Sequence, residues 1–155
     1  MRVFFAFWPE PAALARIEAA RHRLFPLSGR AVDAADLHMT AAFLGAVEPG
    51  RVDALRALCG PVDAGMLTLD RAEHWPKSEV LVATASQIPP TLTRCVDDLW
   101  RRLDRLGFAR ETRAFRPHVT LARDVPSVRL PLKWTPVEWS PSRIGLFESV
   151  QAASG

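Results

Sequence analysis

The sequence contains no tyrosine, only two cysteines and no apolar stretch long enough to cross a bilayer. Cys59 and Cys95 stand apart without a C-x-x-C pattern, which excludes a disulfide framework and argues against a zinc site. The apolar run from Val3 to Trp8 is far shorter than the ~20 residues of a membrane span, and no cleavage site closes it. We therefore expect a cytoplasmic protein that begins at Met1 and has no membrane partner.

Lysine is almost absent, because Lys77 and Lys133 are the only lysines among the 20 basic residues. The net charge is only +3, and a GC-rich genome produces the same arginine bias, so composition alone is weak evidence for an anionic partner. Placement is more informative, since seven arginines lie close together: Arg101, Arg102, Arg105, Arg110, Arg113, Arg116 and Arg123. They form either a solvated helix face with its following loop or an electropositive rim for phosphates.

The length of 155 residues, with 48% hydrophobic and 24% charged residues, is typical of one globular domain, which we place at residues 1–150. Proline and glycine divide this domain into alternating strands and helices. The predicted strands are Arg2 to Phe7, Leu37 to Leu44, Met66 to Ala72, Glu79 to Ala85, Val119 to Ala122, Lys133 to Glu138 and Arg143 to Phe147. The predicted helices run from Pro11 to about Phe25, from the residue after Pro49-Gly50 to Cys59 and from Pro90 to about Leu106, and residues 151–155 are expected to fray.

The chain contains an internal echo at an offset of 80 residues, which places His38-Met39-Thr40 onto His118-Val119-Thr120. Each half contains a strand, a long helix, a loop and then a strand that carries the His-x-Thr motif. This repeat predicts two lobes related by a pseudo-two-fold axis. The mixed strand and helix order favours an α+β fold with mainly antiparallel sheets and outer helices around a central cleft.

The paired His-x-Thr motifs predict acid–base chemistry on a phosphate. Residues i and i+2 of a strand share a face, so His38 lies beside Thr40, and His118 lies beside Thr120. Imidazole titrates near neutral pH, so one ring can act as a base while the other acts as an acid. The threonine hydroxyls can donate hydrogen bonds to phosphoryl oxygens. The competing interpretations are core or surface histidines and threonines chosen for β-propensity.

Two further side chains are candidates for the same site. Arg123 has the bidentate geometry that suits phosphate, but i+5 faces away from His118 on an ideal strand, so its use requires a bend near Asp124. Phe43 and the five tryptophans are candidates for nucleobase stacking, or are core and lobe-interface residues. No phosphate-binding glycine loop, dinucleotide fingerprint, H-E-x-x-H or G-x-S-x-G motif occurs.

Four segments resemble one known family. They are the opening strand Arg2–Ala6, the first motif Asp36–Gly45, the second motif Phe115–Arg123 and the segment Leu146–Ser149. Together they are similar to the two-histidine phosphoesterase superfamily, and most of all to the RNA 2′,3′-cyclic phosphodiesterases, also called 2′-5′ RNA ligases. Family members usually continue into a last strand that contains tyrosine. Because this chain has no tyrosine, we expect an open sheet edge or a different closure in that lobe.

The resemblance implies a bilobal fold and metal-independent hydrolysis of RNA 2′,3′-cyclic phosphate ends to a 2′-phosphate, with no cofactor and with weak 2′-5′ ligation as the reverse reaction. It assigns catalysis to His38 and His118, and phosphate contact to Thr40, Thr120 and Arg123. The expected partner is RNA or an oligonucleotide with a cyclic phosphate end, bound by a monomer. Three alternatives remain: an enzyme for small cyclic phosphates or 2′-5′ oligoadenylates, a non-catalytic RNA-binding module, and an interaction domain with structural histidines.

Overall fold

The computed structural model describes residues 1–24 and 28–150. The strands are β1 (Arg2–Phe7), β2 (Arg30–Ala31), β3 (Met39–Ala46), β4 (Gly60–Pro61), β5 (Leu67–Leu69), β6 (Arg71–Trp75), β7 (Val80–Thr84), β8 (His118–Arg123), β9 (Val137–Trp139) and β10 (Arg143–Glu148). The α-helices are α1 (Pro11–His22), α2 (Val52–Arg56) and α3 (Pro90–Arg105), and short 3₁₀ helices lie at Ala34–Asp36 and Pro49–Arg51. The expected frayed tail at 151–155 lies outside the described residues.

The strands form two four-stranded sheets and one two-stranded ribbon. The first sheet has the order β3-β1-β10-β4, the second has the order β2-β8-β7-β6, and β5 pairs with β9. Every pairing is antiparallel. The α+β class with mainly antiparallel sheets is therefore confirmed.

The internal echo corresponds to a repeated unit of structure. In the first half, β1 leads through α1 to β3, which pairs antiparallel with β1. In the second half, β7 leads through α3 to β8, which pairs antiparallel with β7. Strands β3 and β8 belong to different sheets but contact each other. The two His-x-Thr strands therefore meet where the two sheets meet.

The two central strands and the long helix supply most of the apolar core. Val3 to Phe7 of β1 and all of β7 are buried, which explains their nearly unbroken apolar sequences. One face of α3 is also buried, with apolar residues at helical spacing: Leu92, Val96, Leu99 and Leu103. Burial of one such leucine contributes roughly 1.5–3 kcal/mol. One hydrophobic cluster includes Phe7 of the first sheet and Leu81 of the second, so the two halves share a core.

Several predicted element boundaries differ from those of the structure. The first helix ends at His22 rather than near Phe25, a residue outside the described part, because the backbone amide of Leu24 bonds to the carbonyl of Arg21 and closes a tighter turn. The predicted strand from Met66 to Ala72 is two strands in different sheets. The break falls at Asp70, whose carboxylate accepts hydrogen bonds from the backbone and hydroxyl of Ser86. The predicted strand at Lys133 begins only at Val137, after the last proline of that segment.

Two edge strands have no counterpart among the predicted elements. Strand β2 pairs with β8 at Arg30 and Ala31, and β4 pairs with β10 at Gly60 and Pro61. Two residues are too few for a periodic pattern in the sequence. The second pairing supplies a closure for the lobe in which we expected an open edge or a different closure.

The helices of the described segments are unsuited to a bilayer. None of them combines the length and the apolar composition that crossing a membrane requires.

Candidate active site

An extra residue after each motif threonine sets the direction of the side chains that follow. In β8, Thr120 pairs with Val82 and Ala122 pairs with Leu81, so Leu121 bulges out of the ladder. A bulge reverses the alternation of faces, and Arg123 therefore shares the face of His118 and Thr120. The burial pattern agrees, because Leu121 and Ala122 are both buried and Arg123 is exposed. This bulge is the bend that the use of Arg123 requires.

The first motif has the same irregularity at the equivalent position. In β3, Thr40 pairs with Ala6 and Ala42 pairs with Phe5, so Ala41 bulges out of the ladder. The reversal brings Phe43 to the face of Thr40, where its side chain is 38% exposed. Since 43 and 123 also differ by 80, Phe43 and Arg123 are equivalent positions of the two halves.

Buried Arg21 stabilises the second bulge. Its guanidinium donates hydrogen bonds to the carbonyl oxygens of Leu121 and Val32, the first over 3.1 Å. The backbone amide of Val32 also donates to the Leu121 carbonyl, over 3.0 Å. The charged end of Arg21 thereby connects α1 to the motif strand.

The main chain orients both imidazoles in the same way. The Nδ1 atom of His38 lies 2.6 Å from the carbonyl oxygen of Asp36, and the Nδ1 atom of His118 lies 2.8 Å from that of Arg116. A carbonyl oxygen only accepts hydrogen bonds, so each Nδ1 carries a proton and donates it. Each Nε2 is then the nitrogen that takes up or releases a proton.

Aromatic rings hold each histidine from the side. Trp8 stacks on His38 with ring centroids 4.5 Å apart and planes at 16°, and its indole N–H donates to the carbonyl of Ala35. Trp75 packs against His118 at 4.7 Å in a tilted arrangement. These two tryptophans are site residues. Trp100 and Trp139 are buried, as core residues are.

Arg116 and Glu73 form an ion pair beside His118. Arg116 Nη2 lies 2.8 Å from both carboxylate oxygens of Glu73, and the hydroxyl of buried Thr84 donates to the same carboxylate. The guanidinium of Arg116 also lies over the ring of Trp75, at 4.9 Å. The Arg116 carbonyl accepts the Nδ1 hydrogen bond, while its side chain and Glu73 form the charged surroundings of His118.

Burial lowers the pKa of both histidines below the ordinary value of 6.5. At His38, the hydrogen bond to the Asp36 carbonyl raises the pKa in part, while the positive charge of Arg123 lowers it. At His118, the hydrogen bond to the Arg116 carbonyl raises the pKa and the Arg116 guanidinium lowers it. The charge of His118 also lowers the pKa of His38.

The cleft contains one cavity beside each histidine. The cavity at His118 has a volume of about 390 Å³ and is also lined by Thr40, Phe43 and Trp75. The cavity at His38 has a volume of about 1170 Å³ and is lined by Arg123 together with Trp8, Phe4 and Phe147. Thr120 is half-buried on the face of His118. The structure therefore gathers all six sequence-predicted side chains around the meeting line of the two sheets.

Glu73 has no motif of its own, and only its contacts with distant segments reveal it as a residue of the site. Trp8 and Trp75 were two of five tryptophan candidates, and the same kind of contact distinguishes them from the others. The backbone role of Asp36 and Arg116 was detectable, because both lie two residues before a motif histidine and differ by 80 in number. Among residues 1–24 and 28–150, no group of three or more His, Cys, Asp or Glu side chains is arranged to hold a metal ion.

We expect Arg21→Met to reduce the free energy of unfolding by about 1–3 kcal/mol, because it leaves buried carbonyls of Leu121 and Val32 short of a donor. Urea denaturation measures the change. The matched control is Arg101→Met on the exposed side of α3, which should stay within about 0.5 kcal/mol of wild type. Equal effects of the two substitutions would contradict the bracing role of Arg21.

Comparison with known proteins gives a family and a fold. Residues 8–152 match the family model described as the 2′-5′ RNA ligase superfamily. Over 101 residues, the chain is 39% identical to the RNA 2′,3′-cyclic phosphodiesterase of Escherichia coli strain K12, a match that covers 64% of this chain and 57% of that protein. The aligned region thus spans less than two thirds of the length of this curated relative.

Solved structures extend the likeness over nearly the whole chain. The crystal structure of E. coli LigT complexed with 3′-AMP superposes with a TM-score of 0.80 at 31% identity, covering 99% of this chain and 91% of that one. The structure of TT0787 of Thermus thermophilus has the same fold, with a TM-score of 0.77 at 23% identity over 99% of this chain and 91% of that one. The two-lobe architecture expected from the sequence is confirmed.

Proposed function

The chain belongs to the 2′-5′ RNA ligase superfamily, and from that membership we propose that it hydrolyses RNA 2′,3′-cyclic phosphate ends to a 2′-phosphate. The observation that carries the proposal is the matched pair of histidines. Both rings have Nδ1 fixed on a main-chain carbonyl, and both belong to motif segments that meet between the sheets. This arrangement supplies one general base and one general acid to a phosphate held between them.

The proposed reaction is an in-line displacement at phosphorus. The neutral Nε2 of one histidine takes a proton from water as the water oxygen forms its bond to phosphorus. The bond between phosphorus and the ribose O3′ breaks on the opposite side, and the protonated Nε2 of the other histidine gives its proton to O3′. The phosphate stays on O2′, and the two histidines finish with their protonation states exchanged.

The remaining predicted residues would stabilise the phosphate. The hydroxyls of Thr40 and Thr120 can donate hydrogen bonds to its non-bridging oxygens, and Arg123 adds a positive charge from the side of His38. By analogy with other oxyanion sites, loss of one such donor costs a factor of about 10²–10³ in rate. Phe43 lies on the opposite side, where it can stack on a base.

The proposal includes a monomeric enzyme that acts in the cytoplasm on RNA ends without a metal ion or cofactor. Weak 2′-5′ ligation is expected as well, since a 5′-hydroxyl that attacks phosphorus in place of water, with O3′ as the leaving group, gives a 2′-5′ linkage through an analogous transition state. The relative named as an RNA 2′,3′-cyclic phosphodiesterase supports this substrate class over small cyclic phosphates.

We expect wild-type protein to hydrolyse an oligoribonucleotide with a 2′,3′-cyclic phosphate end in excess EDTA. His38→Ala and His118→Ala should each reduce turnover about 10²–10⁴-fold, because each removes one proton-transfer group. Phosphorus NMR identifies the position of the product phosphate. The matched control is His22→Ala, since His22 is exposed on α1 and lies outside the cleft. Near-normal turnover in either cleft variant would exclude the two-histidine mechanism.

The pH profile follows from the lowered pKa values of the two histidines. The base works only above its pKa and the acid works only below its own, so kcat/KM follows a bell centred midway between the two. Because burial lowers the pKa of both below 6.5, the maximum of kcat/KM should lie on the acidic side of pH 6.5. Initial rates at substrate concentrations well below KM provide the measurement. A maximum at alkaline pH would contradict this assignment.

A further inference from the structure

The two cavities of the cleft together offer more room than hydrolysis of a terminal cyclic phosphate requires. That reaction needs room for one nucleoside and one water molecule around the phosphate. The cleft nevertheless offers two cavities, one next to each histidine. The His118 groove is the smaller one and runs between β3, the end of β6 and the segment 110–116. At about 390 Å³, it lies within the ~300–1,000 Å³ typical of ligand pockets.

Aromatic side chains line the His118 groove, and one of them, Phe43, is exposed. Phe43 is 38% exposed although it lies within a strand, and the guanidinium of Arg2 lies 5.3 Å from its ring centroid. Trp75 and Phe115 are half-buried in the same lining. Unpaired bases stack on such rings without regard to sequence, and arginine planes add to the stacking surface.

The charge of the groove suits phosphates. Three arginines line it against one carboxylate, that of Glu111. Asp97 pairs with Arg110 and Glu73 pairs with Arg116. Arg113 is exposed and makes no ion pair with any residue in the part of the chain that the structure describes. It is thus an available cation beside an exposed aromatic ring, a combination typical of single-stranded nucleic acid sites.

We propose that the His118 groove binds the single-stranded RNA that precedes the reacting nucleotide, with Phe43 stacking on a base and Arg113 contacting a backbone phosphate. The inference rests on the proposed function and adds a second contact region to it. The groove opens directly at His118, so a strand attached to the reacting nucleotide enters it without looping. The groove makes the enzyme selective for RNA ends over free cyclic nucleotides.

The test compares two substrates in excess EDTA, a 2′,3′-cyclic mononucleotide and a pentaribonucleotide with a 2′,3′-cyclic phosphate end. Wild type should show a kcat/KM at least tenfold higher on the pentanucleotide. Phe43→Ala and Arg113→Ala should each reduce that preference about tenfold, mainly through KM, because one stacked base or one phosphate contact is lost. The matched control, Arg105→Ala on the exposed face of α3, should retain the preference.

Salt dependence provides a second readout. The KM for the pentanucleotide should rise with salt concentration, and the slope should be smaller in Arg113→Ala, since one phosphate contact fewer releases one counterion fewer. Fluorescence anisotropy with a 5′-labelled pentanucleotide that ends in a 2′-phosphate measures binding without turnover. Arg113→Ala should weaken this binding about tenfold.

The outcomes distinguish a failure of the groove proposal from a failure of the proposed function. Equal kcat/KM on both substrates in wild type would overturn the groove proposal and leave the proposed function intact. Absence of turnover on both substrates would overturn the proposed function, and the anisotropy experiment would then decide on the groove alone. A separate 5′-hydroxyl strand that competes as strongly as the attached strand would assign the groove to an acceptor strand and overturn the proposal.

Discussion

The site depends on the extra residue that follows the threonine in each motif strand. A regular strand would turn Phe43 and Arg123 away from the motif histidines, because residues at odd spacing face opposite sides. The bulges at Ala41 and Leu121 reverse the alternation immediately after each threonine. Arg123 and Phe43 therefore face the cleft, although the His-x-Thr motifs themselves are regular. The buried guanidinium of Arg21 shows how firmly the fold fixes the second bulge.

The two equivalent motif strands hold their histidines in the same way but surround them with different charges. Both rings have the same carbonyl anchor and an aromatic neighbour, yet the flanking charges differ. Arg123 lies toward His38, whereas Arg116 lies toward His118 and is neutralised by Glu73. A general acid and a general base require unequal partners, and a pseudo-symmetric fold can produce them by varying what surrounds two equivalent strands.

Much of the fold was predictable from the sequence. The bounds of β1 agree with its apolar run, and the 80-residue echo indicated both lobes and both motif strands. The sequence did not identify the bulges, because the apolar pairs Ala41-Ala42 and Leu121-Ala122 that interrupt the alternation also occur in strands buried on both faces. The contacts of Trp8, Trp75 and Glu73 were equally hidden, since each depends on the packing of segments that are distant in the chain. The division of one predicted strand at Asp70 was hidden as well, because it arises from pairing with distant strands: the residues before Asp70 pair with β9 and those after it pair with β7.

The carbonyl anchors have a consequence for how such a site can evolve. Every residue type carries the same main-chain oxygen, so positions 36 and 116 can change their side chains while the imidazoles keep their aim. This chain has an acidic residue at one position and a basic residue at the other. The pKa of each histidine can therefore rise or fall during evolution while the orientation of its ring is conserved. The pH optimum of such an enzyme can shift without a change in the arrangement of its catalytic groups.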